Sequence, residues 1–264
     1  DQTPEQLLRR RANAYQAYYE FMPIRLPVGR QGPDMPIYRR LRFGSLMEMH
    51  VLDTRQYRND QACGDGRKLS CEEHQNPART VLGQAQKKWL FDGLATTDAI
   101  WNVLPQQIMM AKLRGVNEAG EQLWPMDLWD GYPYERQELL EHLDTVSTPN
   151  PIVLTGDIHA NWVADLKLDF DLSASKVVGS EYIGTSISSG GDGQDMTDYG
   201  RNLLLNNPHV KFYNANRGYV AVTLTPDLWR ADYKVVPYIT TQGAPISIRK
   251  TYVTEAGRPG IEEG

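Results

Sequence analysis

The sequence predicts a layered α/β fold, and three observations lead to this prediction. Helical patterns alternate with short apolar strands over roughly the first 155 residues. From Asn161 onward the pattern changes to successive strands separated by polar turns. Of the 264 residues, 41% are hydrophobic, which is enough to bury a sizeable core in one large domain or two small ones.

The chain is predicted to begin with a helix, because Thr3 can cap its amino end, Pro4 suits its first turn and Pro23 ends it. The predicted helices cover residues 4–22, 83–94 and 135–146, and the predicted strands cover 37–43, 45–52, 101–104, 152–154, 162–168, 182–187, 210–213, 219–224 and 229–236. The segment 115–134 mixes aromatic residues with Gly and Pro, and we expect it to form neither a helix nor a strand.

Polar residues follow three of the apolar strands. Leu52 leads into Asp53-Thr54-Arg55, Leu104 into Gln106-Gln107, and Leu154 into the segment with Asp157 and His159. Ligand sites of layered α/β proteins gather at the carboxyl ends of strands. We therefore expect these polar residues to line one site.

Asp157 and His159 stand two residues apart after a buried strand. A carboxylate suits Ca²⁺, Mn²⁺ or Fe, and a neutral imidazole suits Fe or Zn. Because residues i and i+2 of an extended chain point to one side, both side chains are predicted to reach one metal ion. Gly156 permits a sharp turn just before them. The alternative is that Asp157 caps a turn and His159 is an ordinary polar residue.

Asp53 and Arg55 follow an earlier strand. Asp53 is a candidate metal ligand or a carboxylate that supports the ligands. Arg55 is a candidate phosphate clamp, since a guanidinium group matches a phosphoryl edge with two hydrogen bonds. The alternative for each residue is a surface salt bridge.

Cys63 and Cys71 are the only two cysteines, and they flank a polar loop. Their spacing does not fit a zinc site, so a local disulfide is predicted, with two free thiols as the alternative. Closing so short a loop stabilises the fold by roughly 2.5 kcal/mol. A disulfide would also place the protein outside the cytosol.

Composition and local patterns exclude several functions. A net charge of −5 and a pI near 5.6 give no electrostatic footprint for nucleic acid, and Arg9-Arg10-Arg11 is interpreted as a solvated helix face. The glycines of segment 188–193 lack the lysine of a nucleotide-binding phosphate loop. The sequence has neither a membrane-spanning apolar run nor a signal peptide. It opens at Asp1, so we expect a processed product or a piece of a longer protein.

Several motifs resemble, in the same order, the carboxyl half of PhoD-like metallophosphatases. The matching stretches are Leu52-Asp53-Thr54-Arg55-Gln56-Tyr57-Arg58, Asp60-Gln61-Ala62-Cys63-Gly64-Asp65-Gly66, Trp129-Asp130-Gly131-Tyr132-Pro133, Leu154-Thr155-Gly156-Asp157-Ile158-His159, Gly184-Thr185-Ser186-Ile187-Ser188-Ser189 and Asn216-Arg217-Gly218-Tyr219. Together they cover nearly the whole chain.

The resemblance implies a two-sheet metallophosphoesterase core, an α/β/β/α sandwich. It implies a cluster of iron (Fe) with calcium (Ca) or another divalent ion such as Mn or Zn, and hydrolysis of phosphomonoesters or phosphodiesters at alkaline pH. It also implies a secreted or periplasmic bacterial enzyme exported by the twin-arginine route. By this resemblance Asp157 and His159 fill the final metal-binding motif of the family, and Asp53 and Arg55 lie at the edge of the site. We therefore expect Asp157, His159 and Arg55 to be catalytic residues. Asp157, His159 and Asp53 are the expected metal ligands, and Arg55 is the expected phosphate-binding residue.

The family motifs that precede these are missing from residues 1–264. We therefore expect the chain to be the carboxyl-terminal part of a single catalytic domain, incomplete alone and paired with the amino-terminal half of the same enzyme. Two alternatives stay open: a phospholipase D-type specificity on the same core, and a non-catalytic extracellular module. No role is assigned to Gln107, Asp130 or Asn161 beyond proximity.

Overall fold

The computed structural model describes residues 3–24 and 32–264 and contains two compact units, Asp1–Arg39 and Arg40–Gly264. The first unit contains helix α1 (Pro4–Phe21). The Thr3 side chain accepts a hydrogen bond from the Gln6 amide, and the Gln6 side chain accepts one from the Thr3 amide. This reciprocal cap is why the helix begins where the sequence predicted. Arg9 and Arg10 are exposed, as expected for a solvated helix face.

The remaining helices and the strands of the described residues have the following bounds. The helices are α2 (Gly83–Thr96), α3 (Pro133–Thr145) and α4 (Asp198–Asn206), with single 3₁₀ turns at Ala62–Gly64 and Trp129–Gly131. The strands are β1 (Arg39–Phe43), β2 (Met47–Val51), β3 (Arg67–Lys68), β4 (Trp101–Gln106), β5 (Gly115–Val116), β6 (Gln122–Pro125), β7 (Pro151–Thr155), β8 (Asn161–Lys167), β9 (Val177–Ile183), β10 (Gly193–Gln194), β11 (Val210–Leu224), β12 (Leu228–Val236), β13 (Ser247–Glu255) and β14 (Arg258–Glu263).

Within the described residues, eleven strands form one mixed sheet in the order β1-β2-β4-β7-β9-β8-β11-β12-β13-β14, with β10 beside β11. The pairs β2–β4, β4–β7 and β7–β9 are parallel. From β8 onward the pairs are antiparallel. Because β2, β4 and β7 run in the same direction, the residues after each of them emerge at one edge of the sheet. This arrangement confirms the mixed α/β class.

The sheet has an apolar core on each face. On one face, Leu90 of α2 and Leu139 of α3 belong to the same buried cluster as Val153 of β7. On the other face, Trp101 of β4 clusters with residues of β12 and β13, including Trp229. The strands β12–β14 therefore cover the face opposite the helices. They are continuous with the main sheet, because β11 pairs with β8 through its first half and with β12 through its second. A sandwich of two separate sheets stays a prediction.

The structure corrects several predicted elements. The segment 115–134 is not irregular, because β5 and β6 pair with each other and β6 pairs with β3. The two strands predicted at 210–213 and 219–224 are one strand, β11, which runs through Gly218. A side chain at Gly218 would place its Cβ 2.0 Å from the Lys234 carbonyl oxygen, so this glycine permits close packing and does not end the strand. Helix α4 and strands β13 and β14 were not predicted from the sequence.

Candidate active site

The turn after β2 presents Arg55, and Asp53 holds that turn in place. One carboxylate oxygen of Asp53 accepts hydrogen bonds from the Arg55 and Gln56 amides, both at 3.0 Å. The other accepts from the Gln56 side chain at 2.5 Å. Asp53 is only 1% exposed, and both of its oxygens are engaged by the turn. Of the two roles that the sequence left open for Asp53, these contacts favour the supporting carboxylate.

Arg55 lies between two carboxylates. Its Nη1 atom is 2.9 Å from Oδ1 of Asp127, and its Nη2 atom is 3.0 Å from Oδ2 of Asp157. The guanidinium group therefore joins the ends of β2 and β7 and the segment that follows β6. The Arg55 side chain is 37% exposed, so the group remains accessible from solvent.

Asp127 is a site residue that sequence reasoning missed. Burial alone would raise the pKa of Asp127, but hydrogen bonds from Gln61 and Arg55, and from Arg58, outweigh it and hold the pKa below its ordinary value. Asp127 is therefore a carboxylate that holds Arg55 through the Nη1 atom of its guanidinium group. It lies within the segment that was predicted to be irregular, and its partners lie far away in the sequence, so no local pattern indicated its role.

Asp157 and His159 do not lie on an extended chain. Strand β7 ends at Thr155, and the backbone φ angles of Asp157 and His159 are 65° and 56°, both in the left-handed region. The expectation that the two side chains point to one side as in a strand is therefore wrong. Both residues are exposed. They belong to a tight turn, in which the Ile158 amide donates to the Gly156 carbonyl at 2.8 Å.

The residues present supply only part of a metal-ligand set. Asp157 and His159 offer the oxygen and nitrogen atoms that Fe, Zn and Mn accept. However, Asp157 is paired with Arg55, and both oxygens of Asp53 are used by its own turn. Within the part of the chain that the structure describes, no three His, Cys, Asp or Glu side chains are grouped to hold a metal ion. The described residues therefore do not complete the metal cluster that the resemblance implies.

Two glutamines tie the strand ends together. Gln107 accepts hydrogen bonds from the amide and the hydroxyl of Thr54, each at 2.8 Å, and donates to the Leu52 carbonyl at 3.0 Å. Gln106 donates to the Thr155 hydroxyl at 3.0 Å and accepts from the indole of Trp129 at 2.7 Å. These contacts fix the spacing of β2, β4 and β7 beneath the site.

A buried carboxyl group lies below this layer. Glu181 accepts hydrogen bonds from the Thr155 hydroxyl at 2.6 Å and from the amides of Met110 and Ala111 at 2.8 and 2.7 Å. Burial raises the pKa of Glu181, although each of these hydrogen bonds opposes the shift. Glu181 therefore fixes the segment after β4 relative to β7 and is not exposed to a ligand.

The other residues named from the sequence have structural partners. Asp130 is buried in an ion pair with Arg136 at 2.6 Å. Asn161 accepts a hydrogen bond from the Thr185 amide at 3.1 Å and donates to Asn214 at the same distance. The predicted disulfide is present, linking Cys63 and Cys71 across eight positions of the sequence.

The charged cluster of Arg55, Asp127 and Asp157 lies at the carboxyl ends of parallel strands, where the ligand sites of α/β proteins gather, and the fold places the chain in that class. The chain matches the PhoD-like phosphatase family over residues 1–233, and it belongs to that family.

Two similar proteins extend this result. The chain is 46% identical over 262 residues to alkaline phosphatase D of Bacillus subtilis (strain 168), covering 99% of this chain and 45% of that protein. It is similar to a solved structure described as "Structure of PhoD", with a TM-score of 0.93, 46% identity, and coverage of 99% of this chain and 50% of that one. The chain thus spans about half the length of the relatives it matches. Among residues 3–24 and 32–264, no helix is long and apolar enough to cross a bilayer.

Proposed function

We propose that this chain forms part of a metal-dependent phosphatase or phosphodiesterase that hydrolyses phosphate esters. The observation that carries the proposal is the position of Arg55 at the carboxyl end of β2, in contact with Asp157 and beside the turn that holds His159. A guanidinium group at a strand end is suited to bind a phosphoryl group through two hydrogen bonds. Membership of the PhoD-like phosphatase family supports the same substrate class.

Arg55 is proposed as the phosphate-binding residue and Asp127 as the residue that holds it. The Nη1 atom of Arg55 stays with Asp127, while its Nη2 atom exchanges Asp157 for the phosphoryl group, which the Nη2 and Nε atoms then bind through two hydrogen bonds. Because the Arg55–Asp157 pair is partly exposed, breaking it costs little, about 0–1 kcal/mol. The exchange also frees the Asp157 carboxylate for a cation.

Asp157 and His159 are proposed as metal ligands, with Asp53 supporting the turn beside them. The metals proposed are iron with calcium, or another divalent ion. A bound metal would polarise the phosphoryl group and neutralise its developing charge. With no third ligand grouped among the described residues, the site would be completed by residues of the whole protein outside that part.

An extracellular location, reached by twin-arginine export, is proposed with this function. The Cys63–Cys71 disulfide supports the location, because disulfides persist in oxidising compartments. The location does not depend on the identity of the substrate.

The test is hydrolysis by the full-length protein of an aryl phosphate monoester and an aryl phosphate diester, before and after chelation and metal readdition. We expect turnover that chelator removes, that metal restores and that inorganic phosphate inhibits. Release of choline from phosphatidylcholine vesicles without aryl phosphate hydrolysis would indicate the phospholipase D-type specificity instead. No hydrolysis of any of these substrates by the metal-loaded protein would favour a non-catalytic module.

A further inference from the structure

Arg217 of β11 contacts the turn that carries Asp157 and His159. Its Nη1 atom donates to the His159 carbonyl oxygen at 2.9 Å and to the Ser186 hydroxyl at 2.6 Å, and its Nη2 atom donates to the Ala215 carbonyl at 2.8 Å. Arg217 is only 5% exposed. One buried guanidinium group thus joins β11, the turn after β7 and the segment after β9.

The turn needs such a support. Asp157 and His159 both adopt left-handed backbone conformations, which L-residues with a Cβ rarely adopt and which persist only where the surroundings enforce them. Arg55 contacts this turn through the Asp157 side chain, and Arg217 contacts it through the His159 backbone. The two arginines therefore fix different parts of the turn.

The conformation of Arg217 is itself constrained. A Cβ at Gly193 would lie 2.9 Å from the Arg217 Nε atom and 2.1 Å from the Ala215 carbonyl oxygen, so this close approach requires glycine. The Nε atom is buried without a hydrogen-bond partner in the described part of the chain. The guanidinium group thus has little room to move.

Stability alone does not account for an arginine at this position. Among the residues that the structure describes, Arg217 contacts carbonyl and hydroxyl oxygens but forms no ion pair with a carboxylate. Burying a positive charge without a negative partner is costly, and an apolar side chain of similar volume would often be at least as stable. What Arg217 provides instead is a directional contact to the backbone of His159.

We propose that Arg217 is a positioning residue that holds the 156–160 turn in the conformation that presents Asp157 and His159 to their ligand. This inference rests on the proposed function for the identity of the ligand, but not for the contact itself. Arg217 acts through the backbone of His159, and it is not proposed to touch the substrate.

The test compares Arg217→Met and Arg217→Lys with wild type in the full-length protein. Hydrogen–deuterium exchange is measured first on the metal-free protein, in the peptides that contain the Ile158 and Thr185 amides. These amides are bonded to Gly156 at 2.8 Å and to Asn161 at 3.1 Å. We expect Arg217→Met to speed their exchange about tenfold or more, as for loss of a hydrogen bond from a charged donor. Arg217→Lys, which can reach fewer acceptors, should give a smaller increase.

Arg79→Met is the matched control. Arg79 is 8% exposed and also donates to a backbone carbonyl, that of Asp60, and to the Glu73 side chain. Arg79→Met should speed hydrogen–deuterium exchange near the contacts of Arg79 and leave the exchange of the 156–160 peptides unchanged. Metal content is measured next, and it should fall in Arg217→Met but stay at the wild-type value in Arg79→Met.

Unchanged exchange of the 156–160 peptides in Arg217→Met would overturn the proposal, and so would an equal increase in Arg79→Met. If Arg217→Met does not fold, Arg217→Lys decides by the same criterion. If neither folds, Arg217 is a folding residue and the proposal is wrong. A wild-type protein without phosphoesterase activity would refute the proposed function and leave the exchange result valid.

Discussion

The Nη2 atom of Arg55 lies 3.0 Å from Oδ2 of Asp157, although 102 positions separate the two residues in the sequence. The side chains are 37% and 52% exposed. A pair this exposed contributes little to stability, about 0–1 kcal/mol, so its importance lies in what it orients. It holds the candidate phosphate-binding group beside the candidate metal-binding turn.

Arg55→Lys should weaken inhibition by inorganic phosphate about tenfold while leaving metal content unchanged. A lysine keeps the charge but cannot form two parallel hydrogen bonds to a phosphoryl edge. The measurement is the phosphate inhibition constant of the full-length enzyme together with its metal content. Arg230→Lys, which alters an arginine paired with Asp232 on β12, is the control. Equal phosphate inhibition in both variants and wild type would refute the role of Arg55.

His159→Ala should lower bound metal and remove most turnover, because the variant lacks the imidazole nitrogen proposed as a ligand. Metal content is measured after dialysis, and turnover is measured on an aryl phosphate. His142→Ala is the control, since His142 stacks on Phe91 with ring centroids 4.2 Å apart and lies on α3. Wild-type metal stoichiometry in His159→Ala would count against the assignment.

Replacing both cysteines, Cys63→Ser with Cys71→Ser, should lower the free energy of unfolding of the full-length protein. The expected loss is about 2.5 kcal/mol, because the cross-link closes a short loop in the unfolded chain. The measurement is denaturant unfolding with and without reductant. Reductant should destabilise the wild type and have no effect on the double variant. If reduction leaves the unfolding midpoint of the wild type unchanged, the predicted contribution is wrong.

Stability should fall as the pH drops from about 6.5 to about 4, in part because of His209. Burial lowers the pKa of His209 to about 4, helped by the nearby cations Arg136, Lys167 and Arg114 and opposed by the hydrogen bond to the Lys112 carbonyl. The unfolded chain takes up a proton at higher pH than the folded protein does. The stability that neutral His209 contributes is therefore fully present above about pH 6.5. It is lost as the pH falls from there through the pKa of His209 in the folded protein, about 4.

The measurement is denaturant unfolding of wild type and His209→Gln at pH 7, 5.5 and 4. A glutamine can still donate to the Lys112 carbonyl, which accepts from His209 at 2.7 Å, but it does not titrate. The variant should lose less stability on acidification, by on the order of 3 kcal/mol. His50, whose pKa burial also lowers to about 4, should account for part of the remaining loss. Parallel curves for wild type and variant would show that His209 does not contribute.

Local signals in the sequence determined several elements closely. Helix α1 begins after Thr3 because the cap and Pro4 are adjacent in the chain, and both signals lie within a single turn of backbone. Strand β7 was indicated by an unbroken apolar run, since a strand buried on both faces selects such residues. The disulfide was indicated by two lone cysteines that flank one loop.

Tertiary contacts decided what these local signals could not. Strands β5 and β6 form within a segment rich in Gly and Pro because they pair with each other and with β3. Likewise, the predicted extended geometry at Asp157 and His159 gave way to a left-handed turn, which Arg217 contacts from β11. A window of neighbouring residues carries no information about such distant partners.

The sequence by itself determined the mixed α/β class and the principal helices and strands, because each depends on neighbours within a few positions of the chain. It also indicated that Arg55, Asp157 and His159 follow apolar strands. Only the tertiary structure decided that Asp127 anchors Arg55, that Asp53 is engaged by its own turn and that Arg217 supports His159. The physical reason is that hydrogen bonds and ion pairs depend on distance in space, and the order of β2, β4, β7 and β11 within one sheet sets those distances.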